Sequence, residues 1–211
     1  MKNLVVLVSG NGTNLQALID AIQSGVLRNC RLAGVVSNNE RAYALERGRA
    51  ARVPTRVVDH RAFASRETFG VALLETLRTL EADVIALAGF LVVLPPVVIE
   101  AYPNRIVNVH PSLIPSFCGK GSYGLKIHQN ALARGVKISG ATVHLVDQGT
   151  DTGPILLQKA VPVLEDDTPE TLQQRIMQEA EYPLLVEAIQ LLVDERVEIR
   201  DGRTKISPST E

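Results

Sequence analysis

Asn108, His110 and Asp151 are the side chains whose types and spacing first suggest chemistry. Asn108 and His110 lie in Asn108-Val109-His110-Pro111-Ser112-Leu113-Ile114-Pro115. Ile106 to Val109 is a β-rich apolar run that reads as a buried strand, and Pro111, which has no N–H for a sheet ladder, ends it. Alternation puts Asn108 and His110 on one face, so that a carboxamide donor and an imidazole converge on one small group. Acyl-type chemistry needs that layout. Taken singly, His110 reads as a satisfied polar residue at a strand end; Asp151 changes the balance. It lies in a glycine-bearing loop with Asp147, after a second apolar strand, residues 139–147. A nearby carboxylate favours the imidazolium, which with the Asn108 amide could stabilise an oxyanion while Asp151 helps to move a proton.

A second feature opens the chain. Leu4 to Val8 is an apolar run closed by Ser9-Gly10-Asn11-Gly12-Thr13-Asn14, and helical spacing follows at Leu15, Leu18, Ile19 and Ile22. A glycine loop feeding a helix presents unpaired N–H groups to an anion, which makes Gly12, Thr13 and Asn14 the natural phosphate cradle. It is a poor dinucleotide fingerprint, because Leu15 stands where a third glycine belongs and the second strand ends in Ser37-Asn38-Asn39 without an acid. The Lys-Ser/Thr ending of a P-loop is also absent. A ligand-free tight turn is the alternative.

Asn108, the His110-Pro111-Ser112-Leu113-Ile114-Pro115 run and the Asp151-x-Gly153-Pro154 loop together resemble the signature of folate-dependent formyltransferases, and with the glycine opening the similarity extends from about Val5 to about Glu187. The resemblance implies a transferase of one-carbon metabolism. It would move the formyl group of 10-formyltetrahydrofolate, as co-substrate, to the amine of 5-phosphoribosylglycinamide (glycinamide ribonucleotide), in de novo purine biosynthesis, with no metal. It assigns Asn108, His110 and Asp151 to catalysis, and Gly12, Thr13 and Asn14 to the substrate phosphate. It assigns Arg66, Leu91, Val92, Val93, Leu94, Asn108 and Asp147 to the folate. Two departures from the family stand out. Many relatives have Met-Arg where this chain has Leu91-Val92, and a gapless match puts Ala180 on a glutamate that relatives carry near the nucleotide. Formyltetrahydrofolate deformylase, a hydrolase with the same triad, and a non-catalytic nucleotide-binding protein are the competing readings. A tRNA formyltransferase would need a further basic domain.

Composition narrows the classes. With 45% apolar residues, 21% charged and net charge −1, the 211-residue chain has ordinary globular composition, without the basic excess that nucleic acid or an anionic membrane would require. Five consecutive apolar residues near the start are too few for a signal-peptide core, so the expected location is cytoplasmic, as a monomer or homodimer. Residues 82–99 are broken as a membrane span by Asp83, Gly89 and Pro95-Pro96. Cys30 and Cys118 are far apart, without ligand spacing, and are expected as free thiols.

The elements that must position these residues alternate. Strands at Leu32–Val36, Thr55–Val58 and Val84–Ala88 are separated by helices at 41–51 and about Ser65–Leu80, with another helix starting at Pro95-Pro96. This pattern predicts an α/β, Rossmann-like doubly wound, mostly parallel sheet with helices on both faces and an antiparallel extension near the C-terminus. Its ligands gather beyond the carboxyl ends of the strands. We expect one domain: a phosphate-binding β-α half over 1–103, a catalytic half over 104–195 and a hairpin or tail over 196–211. Residues 116–124 carry Gly119, Gly121 and Gly124, and read either as a segment that closes over substrate or as an inert surface loop. Lys120 within it is a candidate to meet the substrate phosphate. A helix is predicted over 125–134 and another from Thr168, which Pro183 must end or kink.

Overall fold

Burial on both faces identifies the first strand as an interior strand of the sheet. In the computed structural model, which describes residues 1–208, β1 (Lys2–Val8) is buried from Asn3 onward. Leu4, Val6 and Val8 point into one apolar core and Val5 and Leu7 into another, as period-two alternation requires. Each fully buried Leu or Val is worth about 1.5–3 kcal/mol, so both faces must be covered by helices.

They are. After β1 come α1 (Thr13–Gln23), β2 (Cys30–Ser37), α2 (Tyr43–Ala50), β3 (Thr55–Val57), α3 (Arg66–Thr79), β4 (Val84–Leu87), α4 (Pro96–Ala101) and β5 (Ile106–His110). Then follow α5 (Leu125–Arg134), β6 (Ile138–Leu145), β7 (Ile155–Pro162), α6 (Pro169–Ile176), α7 (Tyr182–Val193) and a hairpin of β8 (Val197–Arg200) and β9 (Arg203–Ile206). The main sheet runs β3-β2-β1-β4-β5-β6-β7, parallel through β5 and antiparallel beyond it. One core collects the apolar faces of α1, α2, α6 and α7, and the other those of α3 and α4. The doubly wound sheet is as expected. The last three residues of the 196–211 tail lie outside the described residues. No described helix is long and apolar enough to cross a membrane.

Local signals set the boundaries. Ser65 caps α3 and Thr168 caps α6, each accepting the third helical N–H, and Pro169 occupies the first helical position where its missing N–H costs nothing. At Asp201-Gly202 both residues have positive φ, the turn that joins tightly twisted strands. The end or kink expected at Pro183 takes the form of a change in helix type: α6 stops at Ile176 and α7 starts at Tyr182. The chain stays helical through Pro183, because a π-helical turn at Met177–Glu181 comes first and the Tyr182 N–H bonds back five residues to the Met177 carbonyl. The wider turn absorbs the proline ring and its missing donor.

Candidate active site

β5 ends under the sheet's carboxyl edge, and its register against β6 decides what meets there. Asn108 is opposite His144 and His110 is opposite Thr142. The His144 Nδ1–H donates to the Leu145 carbonyl at 2.9 Å, so in the neutral ring Nε2 is the acceptor, and the Asn108 amide donates to it at 3.2 Å. His110 is only 4% exposed; its Nε2–H donates to the Phe117 carbonyl at 3.1 Å, which turns Nδ1 toward Asp151 Oδ2, 3.6 Å away. The other oxygen of Asp151 is 3.6 Å from His144 Nε2. Asn108, His110 and Asp151 are therefore brought together, with His144 at their centre.

Asp151 is delivered by a loop built around Asp147. The Asp147 carboxylate accepts the Gly149 N–H at 3.0 Å and the Thr152 hydroxyl at 2.7 Å, and a Cβ on Gly153 would stand 1.9 Å from the Leu145 carbonyl oxygen. Asp151 itself takes the left-handed region at φ 58, which aspartate tolerates better than most residues. Burial pushes its carboxyl pKa up. The His144 imidazole, the Gly119 N–H at 2.9 Å and the His110 imidazole beside it outweigh that and hold it below the usual carboxylate range. It is an ionised acceptor at neutral pH.

The two loop atoms just named, the Phe117 carbonyl and the Gly119 N–H, show that residues 116–124 lie over the reactive pair and bond to both members. Of the two readings of this loop, a cover over the site is the one this contact favours. It forms one wall of a cavity of about 650 Å³ that runs from Asn14 past Asn108, His110 and Asp151 to Leu91–Leu94.

At the Asn14 end, Gly12 adopts φ 76 as the residue before α1, and an added Cβ would stand 2.6 Å from the Ala44 Cβ. Only glycine fits. Thr13 opens α1, and Asn14, 8% exposed, donates to Glu181 at 2.8 Å. Burial pushes the Glu181 carboxyl up to about 7, partly countered by the Asn14 bond, and the Asn14 Oδ1 is buried without a hydrogen-bond partner. At the other end, Leu91 and Val93 are exposed in the cavity wall while Leu94 is buried. The Leu91 N–H donates to the Ser9 hydroxyl at 2.9 Å and Arg66 donates to the Leu94 carbonyl at 2.7 Å, so the glycine opening and α3 both brace this segment. Among the described residues no group of three or more His, Cys, Asp or Glu is placed to hold a metal ion.

The family model described as "Formyl transferase" matches residues 2–189. The chain belongs to the formyl transferase family. Its structure superposes with a TM-score of 0.91 on glycinamide ribonucleotide transformylase 1 from Symbiobacterium toebii, at 44% identity over 98% of this chain and 94% of that one. It is 41% identical over 98% of its length to the trifunctional purine biosynthetic protein adenosine-3 of Drosophila melanogaster, of which it spans 14%. It also superposes, at 28% identity and a TM-score of 0.85, on a formyltetrahydrofolate deformylase from Pseudomonas syringae pv. tomato, covering 97% of this chain and 65% of that one.

Two residues of this formyl transferase site were not singled out by sequence reasoning. His144 faces Asn108 across the strands, a pairing that alternation along β6 does not reveal. Glu181 was passed over because the gapless match put the family's glutamate on Ala180. Ala180 is fully buried in the apolar core, and Glu181 lines the cavity. A signal existed: Gln173, Met177 and Glu181 are four residues apart and all three face the cavity of this formyl transferase chain.

Proposed function

We propose that this chain transfers the formyl group of 10-formyltetrahydrofolate to the amine of 5-phosphoribosylglycinamide, a step of purine biosynthesis. The observation that carries this reading is the convergence of Asn108, His110 and Asp151 midway along one cavity, between Asn14, which follows a glycine loop suited to an anion, and an apolar wall suited to a flat heterocycle. Gly12, Thr13 and Asn14 hold the substrate phosphate, with the N-terminus of α1 behind them. The Leu91–Leu94 segment, braced by Arg66, and the Asp147 loop hold the folate. The chain acts as one domain, with residues 1–103 supplying the phosphate side and 104–195 the reactive groups.

The reaction needs no group beyond these. The amine attacks the formyl carbon, and its lone pair forms the new C–N bond as the carbonyl pair moves to oxygen. The Asn108 amide and protonated His110 donate to that oxyanion. The His110 Nε2–H must leave the Phe117 carbonyl for the oxyanion, which couples loop position to the chemistry. Asp151 accepts the amine proton; the oxyanion collapses, the bond to the folate nitrogen breaks, and that nitrogen takes the proton. The sum is one formyl group moved and one proton returned.

Absorbance-monitored loss of the formyl folate, with and without glycinamide ribonucleotide, tests the reading. Product that requires the nucleotide supports it. Formate released without the nucleotide would assign the chain to hydrolysis instead.

A further inference from the structure

The walls of the cavity are electrostatically wrong for a nucleotide, with one exception. Three carboxylates line it, Asp147, Asp151 and Glu181, against a single lysine or arginine, Lys120. A phosphate monoester carries about −1.5 to −2 charges at neutral pH. The glycine loop answers with neutral N–H groups and a helix terminus equivalent to roughly half a charge. Arg47 stands beside that loop but its guanidinium is already committed. Its Nε donates to the Asn11 carbonyl at 2.9 Å, Nη2 to Asn11 Oδ1 at 3.1 Å and Nη1 to Gln16 Oε1 at 3.0 Å.

Lys120 is not committed. It is exposed and holds no ion pair among the described residues. It directly follows Gly119, whose N–H is bonded to Asp151, and it lies between two glycines in the left-handed region, φ 89 at Gly119 and φ 85 at Gly121. The backbone that bonds the reactive carboxylate thus also fixes the root of the one available cation.

We infer that Lys120 is a specificity-determining residue that neutralises the phosphate of the nucleotide substrate, so that the 116–124 loop closes productively on a phosphorylated amine and not on a neutral one. This rests on the nucleotide reading of the cavity. Without Lys120, a dianion entering beside Glu181 and Asp151 would meet no permanent positive charge in the walls.

The test is steady-state kinetics of wild type, Lys120→Met and Lys120→Arg with glycinamide ribonucleotide and with its dephosphorylated nucleoside, alongside calorimetric binding of ribose 5-phosphate to each protein. In Lys120→Met the KM for the nucleotide should rise on the order of tenfold to a hundredfold, as expected for losing a charged hydrogen bond. The KM for the formyl folate should stay in place, the preference for the phosphorylated amine should shrink by the same factor, and Lys120→Arg should restore it. A wild-type KM for the nucleotide in Lys120→Met would overturn the inference, and so would an equal loss of kcat on both amines, which assigns Lys120 to loop order alone. If wild type formylates neither amine, the functional reading fails by itself. The ribose 5-phosphate titration still decides the inference, since unchanged binding in Lys120→Met would refute it.

Discussion

Two loops border the cavity and are held in opposite ways. The glycine loop is fixed by the scaffold: Gly12 packs on Ala44, Arg47 straps Asn11 and Gln16, and Asn14 is bonded to Glu181. The 116–124 loop is instead bonded to the reactive groups themselves, through Phe117 to His110 and Gly119 to Asp151. An anion site built the first way exists before substrate arrives, and its ordering cost is already met in folding. A cover built the second way changes with whatever His110 and Asp151 are doing. Binding and chemistry are thus assigned to different mechanical regimes within one cavity.

The largest effect should come from Asp151, which holds the loop and is the proposed proton acceptor. Asp151→Asn is expected to slow formyl transfer by roughly 10²- to 10⁴-fold with the melting temperature nearly unchanged, since an amide oxygen still accepts from Gly119. Turnover within about tenfold of wild type would separate loop-holding from catalysis and break the comparison.

Next is Glu181, on the scaffold side. Its pKa is raised in the folded chain from 4.5 to about 7, so the folded state binds more protons than the unfolded one between those values, and stability falls as pH rises through that window. Glu181→Gln should remove that slope. Its denaturant stability should match wild type near pH 4.5 and exceed it by ~3 kcal/mol above pH 7. Parallel pH profiles for the two proteins would show that Glu181 is solvated and that the glycine loop is less firmly anchored than the geometry indicates.

A smaller effect sharpens the contrast between the loops directly. Gly12→Ala meets both a positive φ and the Ala44 backbone, and should cost about 1–3 kcal/mol of stability and raise the nucleotide KM. Gly121→Ala has a similar φ but open space around it, and should cost ~1 kcal/mol. Equal costs would mean that the glycine loop is not packed. Smallest is Arg47→Met, which should raise the nucleotide KM about threefold to tenfold and leave the folate KM alone; an unchanged nucleotide KM would remove Arg47 from the list of braces.

Much of this arrangement was legible in the residues. β1, the glycine turn and the strand carrying Asn108 and His110 follow from apolar runs closed by glycine or proline, because both signals are local. The strand that leads into the Asp151 loop follows for the same reason. What stayed hidden depends on register and on distant contacts. The meeting of His144 with Asn108 is set by how β6 slides against β5, and alternation along one strand cannot show it. The cavity-facing position of Glu181 depends on its rotation about the helix axis around a π turn, which a gapless match does not capture. The contact of the Phe117 carbonyl with His110 uses backbone atoms, which every residue has, so no side chain announces it.

The bond between Asn14 and Glu181 spans 167 residues and closes the end of the cavity beside the glycine loop. Synthesis of the two partners is separated by the whole stretch between them, although β1, just before Asn14, lies inside the sheet between β2 and β4. The glycine loop therefore leaves the exit tunnel well before the wall behind it, which arrives only with the π turn. During synthesis the growing chain holds an interior strand early and a closed cavity end late. A nascent chain stalled before residue 169 would carry the glycine loop without Glu181, the partner of Asn14.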